Sequence, residues 1–66
     1  MDLAEVIAEA TQQGWRVEQT KGGFMLYPPD RMLSPVAVHR TPSDQRAIRN
    51  FRAEMTKRGF RWSGGL

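Results

Sequence analysis

An α+β fold is predicted for this 66-residue chain: a helix, three antiparallel strands and a second helix, in two layers with both helices on one face of the sheet. Three observations predict it. Leu3, Val6, Ile7 and Ala10 recur at helical spacing near the N-terminus. Trp15 to Gln19 alternates apolar and polar residues and runs into a Gly22-Gly23 reversal, the pattern of a hairpin. Ile48, Phe51 and Met55 form a second apolar stripe behind a Thr41-Pro42 start signal.

The first helix is expected over about residues 2–13. Asp2 supplies a capping side chain and a negative charge at the positive end of the helix dipole. Gly14 stands where a left-handed C-terminal residue ends a helix. Trp15 and Val17 belong to the core face of the first strand. Gly22 and Gly23 tolerate the positive backbone angles of a tight turn. The second strand, Phe24 to Tyr27, stops at Pro28-Pro29, because proline donates no ladder hydrogen bond. A loop over 30–34 leads to a third short strand, Pro35 to His39. Thr41-Pro42-Ser43-Asp44 is close to a capping box, with Thr41 as cap, Pro42 at the first helical position and Asp44 near the usual Glu or Gln. That start predicts a second helix of about 17 residues ending at Gly59. The connections are short, which favours an antiparallel meander.

One domain over residues 1–62 uses nearly the whole chain, and 63–66 are expected to fray. A chain this short buries only about 60% of its unfolded surface, so its core is small. It has no cysteine and one histidine, His39. Disulfides and thiolate metal sites are thereby excluded, and neither a metal nor a cofactor is expected. No apolar run approaches the roughly 20 residues of a membrane span, and the acidic N-terminus is unlike a signal peptide. The expectation is a cytoplasmic protein with no membrane partner.

The net charge is +3, but it is unevenly spread. Residues 1–30 carry two basic and five acidic side chains, a net −3, and residues 31–66 carry eight against two, a net +6. Such asymmetry suits an anionic partner met by the C-terminal half. Arg46, Arg49 and Lys57 line the polar side of the second helix, with Lys21 and Arg40 at the margins. These five are the candidate RNA-binding residues. With Trp15, Val17, Met25, Tyr27, Val36 and Val38 assigned to the helix side, the open face carries Arg16, Glu18, Phe24, Leu26, Ala37 and His39. Phe24, Leu26 and Ala37 then form an apolar patch, a candidate protein interface or homodimer surface.

Helix, three-stranded meander, helix is also the topology of double-stranded-RNA-binding domains. Gly14-Trp15, the Lys21-Gly22-Gly23 turn, Tyr27-Pro28-Pro29, the short third strand and a helix ending in Arg58-Gly59 make a narrower match. Over roughly residues 3–60 the chain resembles the HicA-type mRNA interferase toxins, and its Thr41-Pro42-Ser43-Asp44 start looks like a variant found in small HicA-like proteins of actinobacterial phages. The resemblance implies an RNA partner, an antitoxin-like or host protein partner, and a location in the host cytoplasm if the chain is phage-encoded. It also implies a histidine at the start of the second strand as general base or acid, since an imidazole pKa near 6.5 suits proton transfer at neutral pH. This chain has Phe24 there, so the family's cleavage chemistry is expected to be missing. The expected function is a non-cleaving RNA-binding or interaction module, as a monomer or homodimer. The alternatives are a phage-encoded module that binds a host protein through the open face, and an endoribonuclease in which His39 replaces the missing base.

Overall fold

The computed structural model describes residues 2–63. Its elements run α1 (Leu3–Gln12), β1 (Arg16–Gln19), β2 (Gly23–Tyr27), β3 (Val36–His39) and α2 (Gln45–Lys57). The strands form one antiparallel sheet in the order β1-β2-β3. Val6 and Ala10 of α1, Leu26 and Val36 of the sheet, and Phe51 and Met55 of α2 are buried in a single core with Trp15 and Phe60. One shared core means that both helices lie on the same face of the sheet, as the sequence predicts. Among the described residues no helix is long and apolar enough to cross a membrane.

Both helices end in the same way. Gly14 and Gly59 each take a φ of 91°, a left-handed conformation that a side chain disfavours. Behind Gly14, the Trp15 N–H donates to the Ala10 carbonyl (2.9 Å) and the Gly14 N–H to Thr11 (3.2 Å). Behind Gly59, the Phe60 N–H donates to the Met55 carbonyl (3.1 Å) and the Gly59 N–H to Thr56 (3.0 Å). This paired bonding is a Schellman ending. Each ending turns an aromatic residue into the core, and the rings of Trp15 and Phe60 meet edge to face with centroids 6.0 Å apart.

The chain beyond α2 does not leave the domain. Gln13 grips the backbone of Arg61 with both ends of its amide, Nε2 to the carbonyl (2.7 Å) and Oε1 from the N–H (2.8 Å). Trp62 packs on Phe60 with centroids 4.5 Å apart, donates its indole N–H to Thr56 Oγ1 (2.8 Å), and lies under the Arg52 guanidinium. Ser63 donates its hydroxyl to Glu9 (2.6 Å). Of the expected tail 63–66, Ser63 is thus hydrogen-bonded to α1, and residues 64–66 lie outside the described residues.

Three local expectations are corrected. The cap of α2 is Asp44, whose Oδ1 accepts the Arg46 N–H at 2.9 Å, so Thr41 and Pro42 lie before the helix and α2 has 13 residues. Asp44 can reach that N–H only from outside the helix, and this sets the start. Neither Gly22 nor Gly23 has a positive φ. Gly23 is needed for space instead: a Cβ there would lie 2.0 Å from the Val38 carbonyl oxygen and 2.8 Å from His39 Cα.

The third correction concerns the faces. Gln19 pairs with Phe24 and Phe24 with Val38, while Val17 pairs with Leu26 and Leu26 with Val36. Directly paired residues share a face, so Phe24 and Leu26 point toward the helices with Val17, Val36 and Val38. Leu26 has no exposed surface, and Phe24 packs against the core. Met25 and Tyr27, assigned inward from the sequence, point outward with Arg16, Glu18, Ala37 and His39. A slip of one residue across the turn reverses every side chain of a strand.

At the far end of α2, Arg58 ties the helix to the loop before β3. Its Nε donates to the Ser34 carbonyl (2.6 Å), and one Nη donates to both the carbonyl and the carboxylate of Glu54. That hydrogen bond, aided by the charge of Lys57, holds the Glu54 carboxyl below its ordinary value of 4.5.

Two measurements check these assignments. In urea unfolding, Gly23→Ala should lose roughly 1–3 kcal/mol because backbone has to move, whereas Gly22→Ala, with nothing within 4 Å, should stay within about 0.5 kcal/mol. In an NMR titration, Glu54 should titrate below 4.5 and move up toward the ordinary range in Arg58→Met, with the Lys57 charge still acting on it. Because the folded value is the lower one, the stabilisation from this pair is complete above the ordinary value. It is lost as the pH falls through the depressed one.

Candidate nucleic-acid interface

The cations of the C-terminal half divide into those that hold the fold and those that do not. Arg58 is the clamp on Ser34 and Glu54, and Arg52 covers Trp62. Lys57 lies 3.8 Å from the Glu54 carboxylate. Arg16, on β1, pairs with Glu18 and lies over the Tyr27 ring, 4.3 Å from its centroid. Among the described residues, six exposed cations, Lys21, Arg31, Arg40, Arg46, Arg49 and Arg61, form neither an ion pair nor a ring contact; Arg31 follows β2 and Arg61 follows α2, which leaves Lys21, Arg40, Arg46 and Arg49.

The fold brings these four to one end. Lys21 sits in the β1–β2 turn, closed by the Thr20 N–H on the Gly23 carbonyl at 2.8 Å. Arg40 follows β3, and its N–H donates to the Gly22 carbonyl at 3.2 Å, tying the end of β3 to that turn. Residues 41–44 then lead into α2, leaving a cleft of about 290 Å³ lined by Gly22, His39, Thr41, Pro42 and Ala47 among others. Arg46 and Arg49 follow on the first turn and a half of α2, three residues apart and therefore neighbours on its surface. Lys57 is eleven residues beyond Arg46, or about 16 Å along the axis at 1.5 Å per residue. Lys21, Arg40 and the N-terminal turns of α2 thus fall at the same end of the molecule, and Lys57 lies at the other end of α2.

The expected protein interface fares differently. Of Phe24, Leu26 and Ala37, only Ala37 is on the open face. The others are turned away from it by the register, so the patch does not exist as expected. The open face instead carries Met25 and Tyr27, with Tyr27 covered by Arg16 and its hydroxyl hydrogen-bonded to Glu18 at 3.2 Å. The closing pair Gln19–Phe24 was the missing signal. Any connection with an even number of residues, whether a two-residue turn or the four residues Thr20–Gly23, puts Phe24 and Leu26 on the face of Val17, and only an odd-length one gives the face assigned from the sequence.

His39 is exposed at the end of β3. It follows Val38, the partner of Phe24, so His39 and Phe24 open on opposite faces. An imidazole at His39 therefore does not occupy the place of a side chain at position 24. Among the described residues no three His, Asp or Glu side chains gather into a metal-binding set. No protein family, curated protein or solved structure matches the chain.

Substitutions on the sheet separate the two faces. Leu26→Ala should cost about 2–5 kcal/mol and Phe24→Ala about 2 kcal/mol or more, both from lost core packing. Ala37→Thr, on the exposed face, should remain within about 0.5 kcal/mol. The reverse order in denaturant unfolding would restore the register assigned from the sequence.

Proposed function

We propose that the protein is a HicA-like RNA-binding module that does not cleave RNA, and that Lys21, Arg40, Arg46 and Arg49 contact the phosphate backbone. The observation that carries this is the collection, at one end of the molecule, of four exposed cations without carboxylate partners among the described residues. Most other basic side chains are engaged by the fold. Phosphates need little more than charge and donors set in register, and arginine supplies both.

The non-cleaving part of the proposal rests on position 24. Phe24 has no proton to exchange, and its ring is held against the core. His39 faces the opposite side of the sheet, away from that position. Binding a host protein through Phe24 and Leu26 loses its anchors, because both side chains serve the core.

Fluorescence anisotropy with a labelled RNA across a salt series tests the proposal. Neutralising four phosphates predicts that log K falls against log[salt] with a slope of about −3 to −4. Arg46→Gln with Arg49→Gln should roughly halve that slope, whereas Lys57→Gln should leave it almost unchanged. The RNA should be recovered intact. Salt-independent binding, no binding at low salt, or cleavage lost in His39→Ala would each overturn the proposal.

A further inference from the structure

The sheet carries a depression beside the cationic end, and two cross-strand pairs build it. Gly23 stands opposite His39, and Met25 opposite Ala37. The two long side chains, His39 and Met25, therefore lie diagonally across from the two smallest residues. Glycine is compulsory at position 23, where the β3 backbone leaves no room for a Cβ, so no side chain fills the space opposite the imidazole. The result is a depression of about 210 Å³, lined by Thr20, Gly22, Gly23, Met25, Ala37 and His39 among others. None of its lining residues belongs to a helix, which places it on the open side of the sheet. It shares Gly22 and His39 with the cleft of about 290 Å³ that carries Arg40. Lys21 lies in the chain between Thr20 and Gly22, and Arg40 directly follows His39, so both exposed cations stand at its rim.

We infer that this depression seats one unpaired base of the bound RNA, with the His39 imidazole stacked on it and the flanking phosphates held by Lys21 and Arg40. The inference rests on the RNA-binding function proposed above and adds which part of the RNA, beyond its phosphates, the protein holds. At about 210 Å³ the space falls below the roughly 300–1,000 Å³ of a site for a drug-sized ligand, and it suits a single planar ring. A base offers flat apolar faces and a polar edge. His39 supplies an exposed aromatic ring, Met25 and Ala37 supply apolar surface, and Thr20 brings a hydroxyl. Bases of single-stranded RNA are held by stacking on such rings. Tyr27, the other ring on this face, is already covered by Arg16. The charges match as well: no Asp, Glu, Lys or Arg lines the depression, and cations flank it, as a neutral base between two phosphates requires. A base inside a duplex is stacked on both faces and paired along its edge, so it cannot enter. The protein therefore takes an unpaired nucleotide, in a single strand, a loop or a bulge.

The decisive experiment compares, by fluorescence anisotropy, a short labelled single strand of RNA with an abasic strand of the same length and charge. The wild type should bind the base-bearing strand about fivefold or more tightly, with the same salt slope, because the phosphates are the same. His39→Ala should remove most of that advantage and move the abasic strand far less. Ala37→Leu, which fills the depression and keeps the imidazole, should remove it too, and thermal melts confirm that both variants are folded. A blunt duplex containing the same strand should be insensitive to Ala37→Leu. Equal wild-type affinity for the base-bearing and abasic strands, an advantage that survives either substitution, or a duplex as sensitive as the single strand would overturn the inference and leave the RNA proposal standing. Failure of the wild type to bind either strand at low salt would overturn both.

Discussion

The edge-to-face contact between Trp15 and Phe60 is the point on which the two layers depend. Neither residue belongs to a helix or a strand. Each is delivered by a helix that stops at a left-handed glycine and hands the next side chain to the core. An aromatic pair of this geometry contributes about 0.5–1.5 kcal/mol beyond the area it buries. Its larger effect is geometric, because it fixes the C-terminal ends of α1 and α2 against each other above the sheet. The Gln13–Arg61 amide pairing and the Trp62 indole then lock the same corner. In a domain this small, the chain after the last helix is structural material.

The opposite end follows a different constraint. There the backbone of Gly23 comes so close to β3 that no side chain fits, and the Arg40 N–H reaches back to the turn. The cationic end is thus held by backbone contacts and leaves its side chains free. Fold-holding charges are concentrated elsewhere, on Arg58, Glu54 and Arg16. Such a division lets the surface cations change with little cost to the core, since exposed substitutions away from special contacts seldom move stability by more than about 0.5 kcal/mol.

Much of the architecture was legible in the sequence. Asp2, Gly14 and Gly59 mark helix ends by local chemistry, and Val17, Val36 and Val38 occupy the face that their alternation implies. Two errors had local causes. Thr41 and Asp44 are both good caps three residues apart, and only the chain path after β3 decides between them. Phe24-Met25-Leu26-Tyr27 is apolar on both sides, so its alternation carries no orientation, and the length of the preceding turn alone sets it. That single ambiguity moved Phe24 and Leu26 from a supposed surface patch into the core. The charge stripe was easier to read because helical spacing gives the exposed face of α2 directly. The Glu54–Arg58 pair, four residues apart on one helix, was open to the same reading, but sequence could not tell that Arg58 also holds Ser34, 24 residues away, or that Arg52 covers Trp62 of the chain beyond the helix.

The corner that joins residue 13 to residue 61 also governs how the molecule assembles. The bonds there span 48 positions in the chain, and the Glu9–Ser63 bond spans 54. Closing so long a loop carries an entropic penalty before any contact forms, whereas the β1–β2 hairpin forms from near neighbours. Docking of α1 against residues 61–63 therefore closes a far longer loop than the hairpin does, at a higher entropic cost. A hairpin and a nascent α2 can come together first, but the aromatic corner closes only when α1 and residues 60–63 are both in place. Folding of this protein is in that sense a ring closure without a covalent bond.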